Sequence, residues 1–283
     1  MHDDTTPTWP PLPLLQAPPL YQPPQPIMLA DDLLLQLDEG EPVVLSEDDR
    51  DRRLGHVFER WLLQCLQQHP YLDVCAHNLA IRRGGRTLGE LDLVVHDRRN
   101  DRFEHWEMTV KFYLGLHDGI WPGPNPADQF QRKAHHLFTH QFPLSDRSAA
   151  RHCLADLGVP RIDGKRLLSR GALFYPADRT LAAPAGTHPL HTRGLWWSNA
   201  NLPAHWQWLP LRREQWLGMK PLSDKGTSLL ASTDVLDYVR SVNRPVMVLG
   251  VDPNRPVPQS GFIVSEQWLA DAQTSAHSPA TTD

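Results

Sequence analysis

Cysteine is scarce in this 283-residue chain. Its three residues, Cys65, Cys75 and Cys153, lie far apart with no CxxC pair, which argues against both a disulfide framework and a structural zinc site. A reducing compartment is the expectation. No apolar run approaches the roughly 20 residues of a membrane span, and the first residues, MHDDTTPTW, lack the basic start and apolar stretch of a secretion signal. A soluble cytoplasmic protein without a membrane partner is therefore expected. A basic excess is missing too: 28 Lys and Arg stand against 33 Asp and Glu, for a net charge of −5. Such a balance does not announce nucleic-acid binding, although the field around a cleft matters more than the sum. There is no GxSxG, no GxxxxGK[ST] and no Rossmann glycine fingerprint, which removes the usual serine hydrolase, P-loop and dinucleotide readings.

Proline and tryptophan, by contrast, are plentiful, at 27 and 10 residues. Thr6 to Pro26 is so proline-rich that neither helix nor central strand is expected, because proline fixes φ and has no N–H to donate. It reads as an extended arm or wrap, with a partner-binding polyproline stretch as the alternative. From Asp48 to His69, Leu54, Val57, Phe58, Trp61, Leu62, Cys65 and Leu66 recur at helical spacing. Glu59 sits at the border of that apolar stripe. Tyr71 to Arg82 alternates as a strand and stops at the Gly84–Gly85 turn.

Arg86 to Phe112, RTLGELDLVVHDRRNDRFEHWEMTVKF, holds the most unusual pattern. Period-two alternation sends Leu91, Leu93 and Val95 to one face of the first run, and Glu90 and Asp92 to the other. In the second run Trp106, Met108, Val110 and Phe112 share a face opposite Glu107, Thr109 and Lys111. His96 to Arg102 between them reads as a hairpin connection. One reading is an antiparallel hairpin with a solvated polar face. The other starts from the large apolar residues in both runs, which place the strands inside a domain, where unpaired charges cost several kcal/mol each. A divalent cation between Asp92 and Glu107 would offset that cost, since Mg²⁺ selects oxygen ligands, and a nearby lysine can orient the attacking water.

Downstream, a Gly/Pro-rich loop leads to a helix expected over Ala127 to Phe142, carrying Gln129 and Lys133 four residues apart on one face. Gly171 to Pro176 follows as a short buried strand. The order helix, three strands, helix, strand mixes the two element types in one α/β unit. Residues 1–45 read as an arm and lead-in and 46–180 as the core. Residues 181–270 read as a C-terminal α+β extension packed on it, with RPVMVLGV and GFIVSEQWL as strands, and 271–283 as a frayed tail.

The motifs RRLGHVFERW, GELDLVV and WEMTVKFYLG in this order resemble the PD-(D/E)XK nuclease superfamily, and within it an uncharacterised bacterial domain-of-unknown-function family. Asn78 and Arg82 ahead of Gly89 to Leu93 match the phrase of small resolvase-like relatives. The resemblance covers roughly Asp48 to Pro176 and implies a restriction-endonuclease-like α/β core of order αβββαβ, a mixed sheet flanked by helices. It implies a Mg²⁺- or Mn²⁺-dependent endo- or exodeoxyribonuclease acting on DNA rather than RNA. Glu59, Asp92 and Glu107 match the metal-binding acids, and Asp92, Glu107 and Lys111 the catalytic set. The pattern departs at one place, because the E-x-K lysine position holds Thr109. Lys111 lies one strand period further on the same face, while Gln129 and Lys133 are candidates to contact a phosphate or replace the lysine. Glu90 is a further accessory. The alternative is a catalytically silent nuclease fold that binds nucleic acid or a protein.

His136 and His140 have the i, i+4 spacing of a zinc pair, with His135 adjacent, but the HExxH glutamate is missing and a solvated helix surface is expected. Trp196, Trp197, Trp206, Trp208 and Trp216 are expected to pack in the core, with stacking on unpaired bases as the alternative.

Overall fold

A computed structural model describes residues 8–9, 17–31, 43–44, 54–217, 229–254 and 258–277. The chain is α/β, with a mixed, largely antiparallel, multi-stranded sheet flanked by helices. It divides into two compact units that interleave in sequence: 1–110 with 133–170 and 188–190, and 111–132 with 171–187 and 191–283.

The first unit opens with α1, Leu54–Gln68, whose Val57, Phe58, Trp61, Leu62 and Leu66 are buried as the helical stripe requires. Asp48 to Arg53, where the sequence also suggested helix, lie outside the described residues. Strands β1 (Leu72–Arg83), β2 (Arg86–Asp97) and β3 (Arg102–Leu114) follow as an antiparallel meander. The β2–β3 connection falls where expected, and Asp97 caps it by accepting the Arg99 N–H at 3.0 Å and the Asn100 side-chain amide at 2.7 Å. Strand β3 has no wet face: from Glu104 to Leu114 every residue is buried except Met108 and Lys111, which are half-buried.

The helix expected over Ala127 to Phe142 is shifted and interrupted. It begins at Phe130 because Gln129 forms a strand bridge with Pro122. It runs as α2 (Phe130–His136), a π-helical turn (Leu137–Gln141) and α3 (Phe142–Leu144). In the π turn the Phe142 N–H reaches back five residues to the Leu137 carbonyl. Pro143 follows at once, and having no N–H to return to Thr139 it favours a widened turn. Helix α4, Ser148–Asp156, was not anticipated; Ala150 and Leu154 join Ile81, Leu91, Val94, Leu144 and Val159 in the core. Strand β4 spans Gly164–Pro176, seven residues longer at its start than the apolar GALFYP suggested. It runs beside β3 in the same direction, Gly164 against Arg102 and Gly171 against Lys111.

Part of the proline-rich arm belongs to this unit. Met28–Leu29 pair in parallel with Arg166 and Leu167, and Leu20, Tyr21, Ile27 and Ala30 are buried. That segment is a wrap, and those four side chains are committed to the fold, while Pro24 and Pro26 are exposed; Thr6, Pro7 and residues 10–16 lie outside the described residues.

In the second unit, β5 (Thr192–Trp197) lies parallel to β4 and to β8 (Gln259–Ile263). Strand β7 (Val246–Val251) pairs antiparallel with β8 and with β6 (Gln207–Pro210). Helix α5, Ser232–Val242, covers a core of Trp197, Trp206, Trp208, Val235, Val239, Val246, Val248 and Ile263. The tryptophans pack edge to face, 5.0 Å between the Trp197 and Trp208 centroids. Trp196 is buried as well, and its indole N–H donates to the Gly115 carbonyl at 2.8 Å. Trp216 is half-buried, edge-on to Phe112 and Phe262. The reading of GFIVSEQWL as one strand needs correction. The strand stops at Ile263, and Ser265 then caps α6 (Glu266–His277) by accepting the Trp268 N–H at 3.1 Å. Asp271 to His277 are consequently helical rather than frayed, and residues 278–283 lie outside the described residues.

Candidate active site

Strands β2 and β3 pair in register as far as Leu93 and Trp106. The next opposed residues are Asp92 and Glu107, and there a side chain replaces the backbone ladder, Asp92 Oδ2 accepting the Met108 N–H at 2.9 Å. Two carboxylates thus meet where the strands part. Across the other edge of β2, His77 faces Leu93 and Leu79 faces Leu91, which sets Asn78 opposite Asp92. Asn78 holds the left-handed conformation, φ 48°. Gly89, in the GELD turn of phrase, sits at φ 152°, and a Cβ there would lie 2.8 Å from Leu144. Close packing of the α3 end on β2 needs glycine at this point.

Glu107 is fully buried. One oxygen lies 2.8 Å from His105 Nε2, and the other accepts the Gln141 amide at 2.8 Å. His105 in turn meets Ser145 Oγ through Nδ1 at 3.1 Å. Gln141 accepts from the Lys133 ammonium at 2.9 Å. A continuous polar chain therefore runs Ser145, His105, Glu107, Gln141, Lys133, with Asp92 beside its centre.

The electrostatics follow from burial. Burial and then the Glu107 charge push the Asp92 carboxyl up to about 7, against the Met108 N–H, Lys133 and His105. Burial pushes Glu107 up to about 8, although the Lys133 ammonium and a hydrogen bond shared with Asp92 favour its charged form. Two such carboxylates hold a proton between them near neutrality. Burial, then the Lys165 charge, lower His105 to about 4, so the imidazole is neutral. It either donates Nε2–H to ionised Glu107 or accepts a hydrogen bond from the neutral acid's O–H.

The sequence-derived candidates divide. Asp92 and Glu107 come together, and Lys133 acts on both. Glu59 is held by Asn78, its Oε1 accepting the amide, and its Oε2 lies 3.6 Å from His56. Glu90 is exposed, and its charge reaches Glu107 only weakly. Thr109 is buried. Lys111, assigned the catalytic amine from sequence, donates instead to Asp128 at 2.5 Å, and that carboxylate also takes the Tyr113 hydroxyl at 3.2 Å. Gln129 spans a turn, donating to the Pro126 carbonyl at 2.8 Å. His136 and His140 stack at 5.2 Å on an exposed surface, as expected of a solvated helix. His105, Gln141 and Ser145 were missed, although His105 stands one strand period before Glu107 and so shares its face.

Among the described residues no group of three or more His, Cys, Asp or Glu is gathered as a metal cage. The expected set of Glu59, Asp92 and Glu107 is therefore not assembled; the Asp92–Glu107 pair is. A pair suffices in chemical kind for Mg²⁺, which commonly takes one or two carboxylates and keeps water elsewhere. The raised carboxyls mark a place where a cation would relieve repulsion. The donor set fits a hard divalent ion.

Residues 9–264 match a family described as Domain of unknown function (DUF1853). The chain belongs to that family. No curated protein and no solved structure matches it. No helix among the described residues is long and apolar enough to cross a membrane.

Proposed function

We propose that this chain is a metal-dependent phosphodiesterase of the PD-(D/E)XK kind, hydrolysing nucleic acid, DNA in the first instance. The observation that carries the reading is the Asp92–Glu107 pair at the parting of β2 and β3, two raised carboxyls within the field of one lysine. The order α1, β1 to β3, the α2–α4 stretch and a β4 parallel to β3 supports it.

Asp92 and Glu107 would hold Mg²⁺ or Mn²⁺. When bound, such an ion supplies Lewis-acid activation of water and neutralises charge on phosphoryl oxygens. To hold the ion, Asp92 and Glu107 would have to give up their shared proton. His105 and Gln141 fix the Glu107 carboxylate in rotation, so one rotamer serves the site. Lys133 takes the part that Thr109 cannot, stabilising negative charge as it develops on the phosphate. Lys111 is occupied with Asp128 and has no part in this scheme.

A silent nuclease fold is favoured by one observation, that both Glu107 oxygens already accept or share protein hydrogen bonds. Cleavage of duplex and single-stranded DNA by the purified chain with Mg²⁺ or Mn²⁺ separates the two. Activity abolished by EDTA, by Asp92→Asn and by Glu107→Gln is expected; cleavage that survives both substitutions would end the enzyme reading. Metal binding without cleavage would select the silent fold.

A further inference from the structure

The β1–β2 hairpin extends past the acidic pair into a tip that the proposed chemistry does not use. Arg82 pairs with Thr87, and Arg83 with Arg86, around Gly84 at φ 56° and Gly85 at φ 80°. Two successive positive φ values make a tight turn whose twist matches its strands. The tip is thus a short, stiff ribbon. Arg82, Arg83 and Arg86 are all exposed, and among the described residues none of their guanidinium groups makes a hydrogen bond or ion pair.

From Ala80 to Glu90 the ribbon carries three arginines and one carboxylate, Glu90, in a chain whose net charge is −5. Arg147 and Arg151 are exposed at the start of α4, the helix whose Ala150 and Leu154 pack with Ile81 and Leu91. Their guanidinium groups are likewise without partners among the described residues. The ribbon tip thus carries a positive excess in a chain whose net charge is negative. At a rise of about 3.3 Å per residue, Arg82 lies roughly 13 Å and Arg83 roughly 17 Å beyond the Asn78–Asp92 level. A two-stranded ribbon fits the major groove of B-form DNA, about 12 Å wide.

We infer that the β1–β2 hairpin is the docking element for double-stranded DNA, its three arginines contacting phosphates and groove edges. This rests on the phosphodiesterase reading, since β2, which forms one side of the tip, also carries Asp92. Arginine suits the task because its planar fork binds a phosphate bidentately.

Fluorescence anisotropy of the full-length chain with a labelled duplex, in EDTA so that cleavage cannot interfere, tests it. Joint Arg82→Ala, Arg83→Ala and Arg86→Ala substitution is expected to weaken binding at least about 10-fold. The slope of log affinity against log salt should fall by about 2–3, because each phosphate contact contributes about 0.9. Joint replacement by lysine should retain most of the affinity. Unchanged affinity and slope in the alanine variant would overturn the inference while leaving the phosphodiesterase reading to its own assay. So would preference for single-stranded DNA or RNA unaffected by the substitutions. Duplex binding lost with the arginines in a chain that never cleaves would retain the docking element and reject the enzyme.

Discussion

Glu104 and Glu107 lie three residues apart on β3, both buried, in opposite chemical settings. Glu104 accepts from the Arg166 guanidinium at 2.6 Å and from the Trp106 indole at 3.0 Å, so its charge is met by a charge. Glu107 meets a neutral imidazole, an amide and a second carboxylate. A buried acid kept for structure is given its own cation by the fold. One left against another acid is stored at an energetic cost of the sort that functional sites carry.

Breaking the structural pair should give the larger loss of stability. Arg166→Ala leaves Glu104 buried and uncompensated, and a cost of about 3–5 kcal/mol is expected, measured by urea denaturation. Glu107→Gln mimics the neutral acid and should leave stability near neutral pH within about 1 kcal/mol, while ending metal-dependent cleavage. A Glu107→Gln loss as large as that of Arg166→Ala would erase the distinction between the two acids.

Next in size is the lysine. Lys133→Met is expected to lower cleavage by about 100–1,000-fold, the range for loss of one well-placed electrostatic group, and to raise both acidic pKa values further. Lys111→Met should change cleavage by less than about 3-fold, because half-exposed ion pairs such as Lys111–Asp128 contribute about 0–1 kcal/mol to stability. Steady-state rates of the two variants side by side decide which amine serves the site.

The pH dependence is smaller but has a definite sign. Asp92 and Glu107 are raised above their unfolded values, so the folded protein holds the extra protons. Their contribution is complete at low pH and is lost as pH rises through about 7 and 8. His105 is lowered to about 4 and works the other way, its contribution being lost as pH falls from 6.5 toward 4. Above about 6.5 only the acids remain. Metal-free protein should therefore lose on the order of 1–2 kcal/mol between pH 6.5 and 8, a loss that Asp92→Asn reduces in chemical denaturation curves.

Much of the first unit was legible because its signals are local. The α1 stripe, the Gly84–Gly85 turn and the period-two alternation of β2 and β3 each follow from backbone geometry. Asp92 and Glu107 could be paired from sequence because antiparallel register ties them once the hairpin is placed. The partners of the two lysines could not be read, since they depend on tertiary packing: Lys111 donates to Asp128, and the π turn before Pro143 sets Gln141 where it links Lys133 to Glu107. Glu59 shows the same limit, lying on the expected helix face but held by an asparagine in a left-handed conformation. Helix α6 was missed because WL after SEQ prolongs an apolar strand pattern, and the Ser265 cap that ends it is a single residue.

Calorimetric titration of Mn²⁺ or Mg²⁺ near pH 7.5, in buffers of different ionisation enthalpy, bears most directly on the claim that Asp92 and Glu107 form one proton- and cation-sharing pair. Binding that releases about one proton, since a raised carboxyl must ionise to become a ligand, and that disappears in Asp92→Asn, is the expected result. Metal binding without proton release, binding that survives Asp92→Asn, or no binding at all would contradict it.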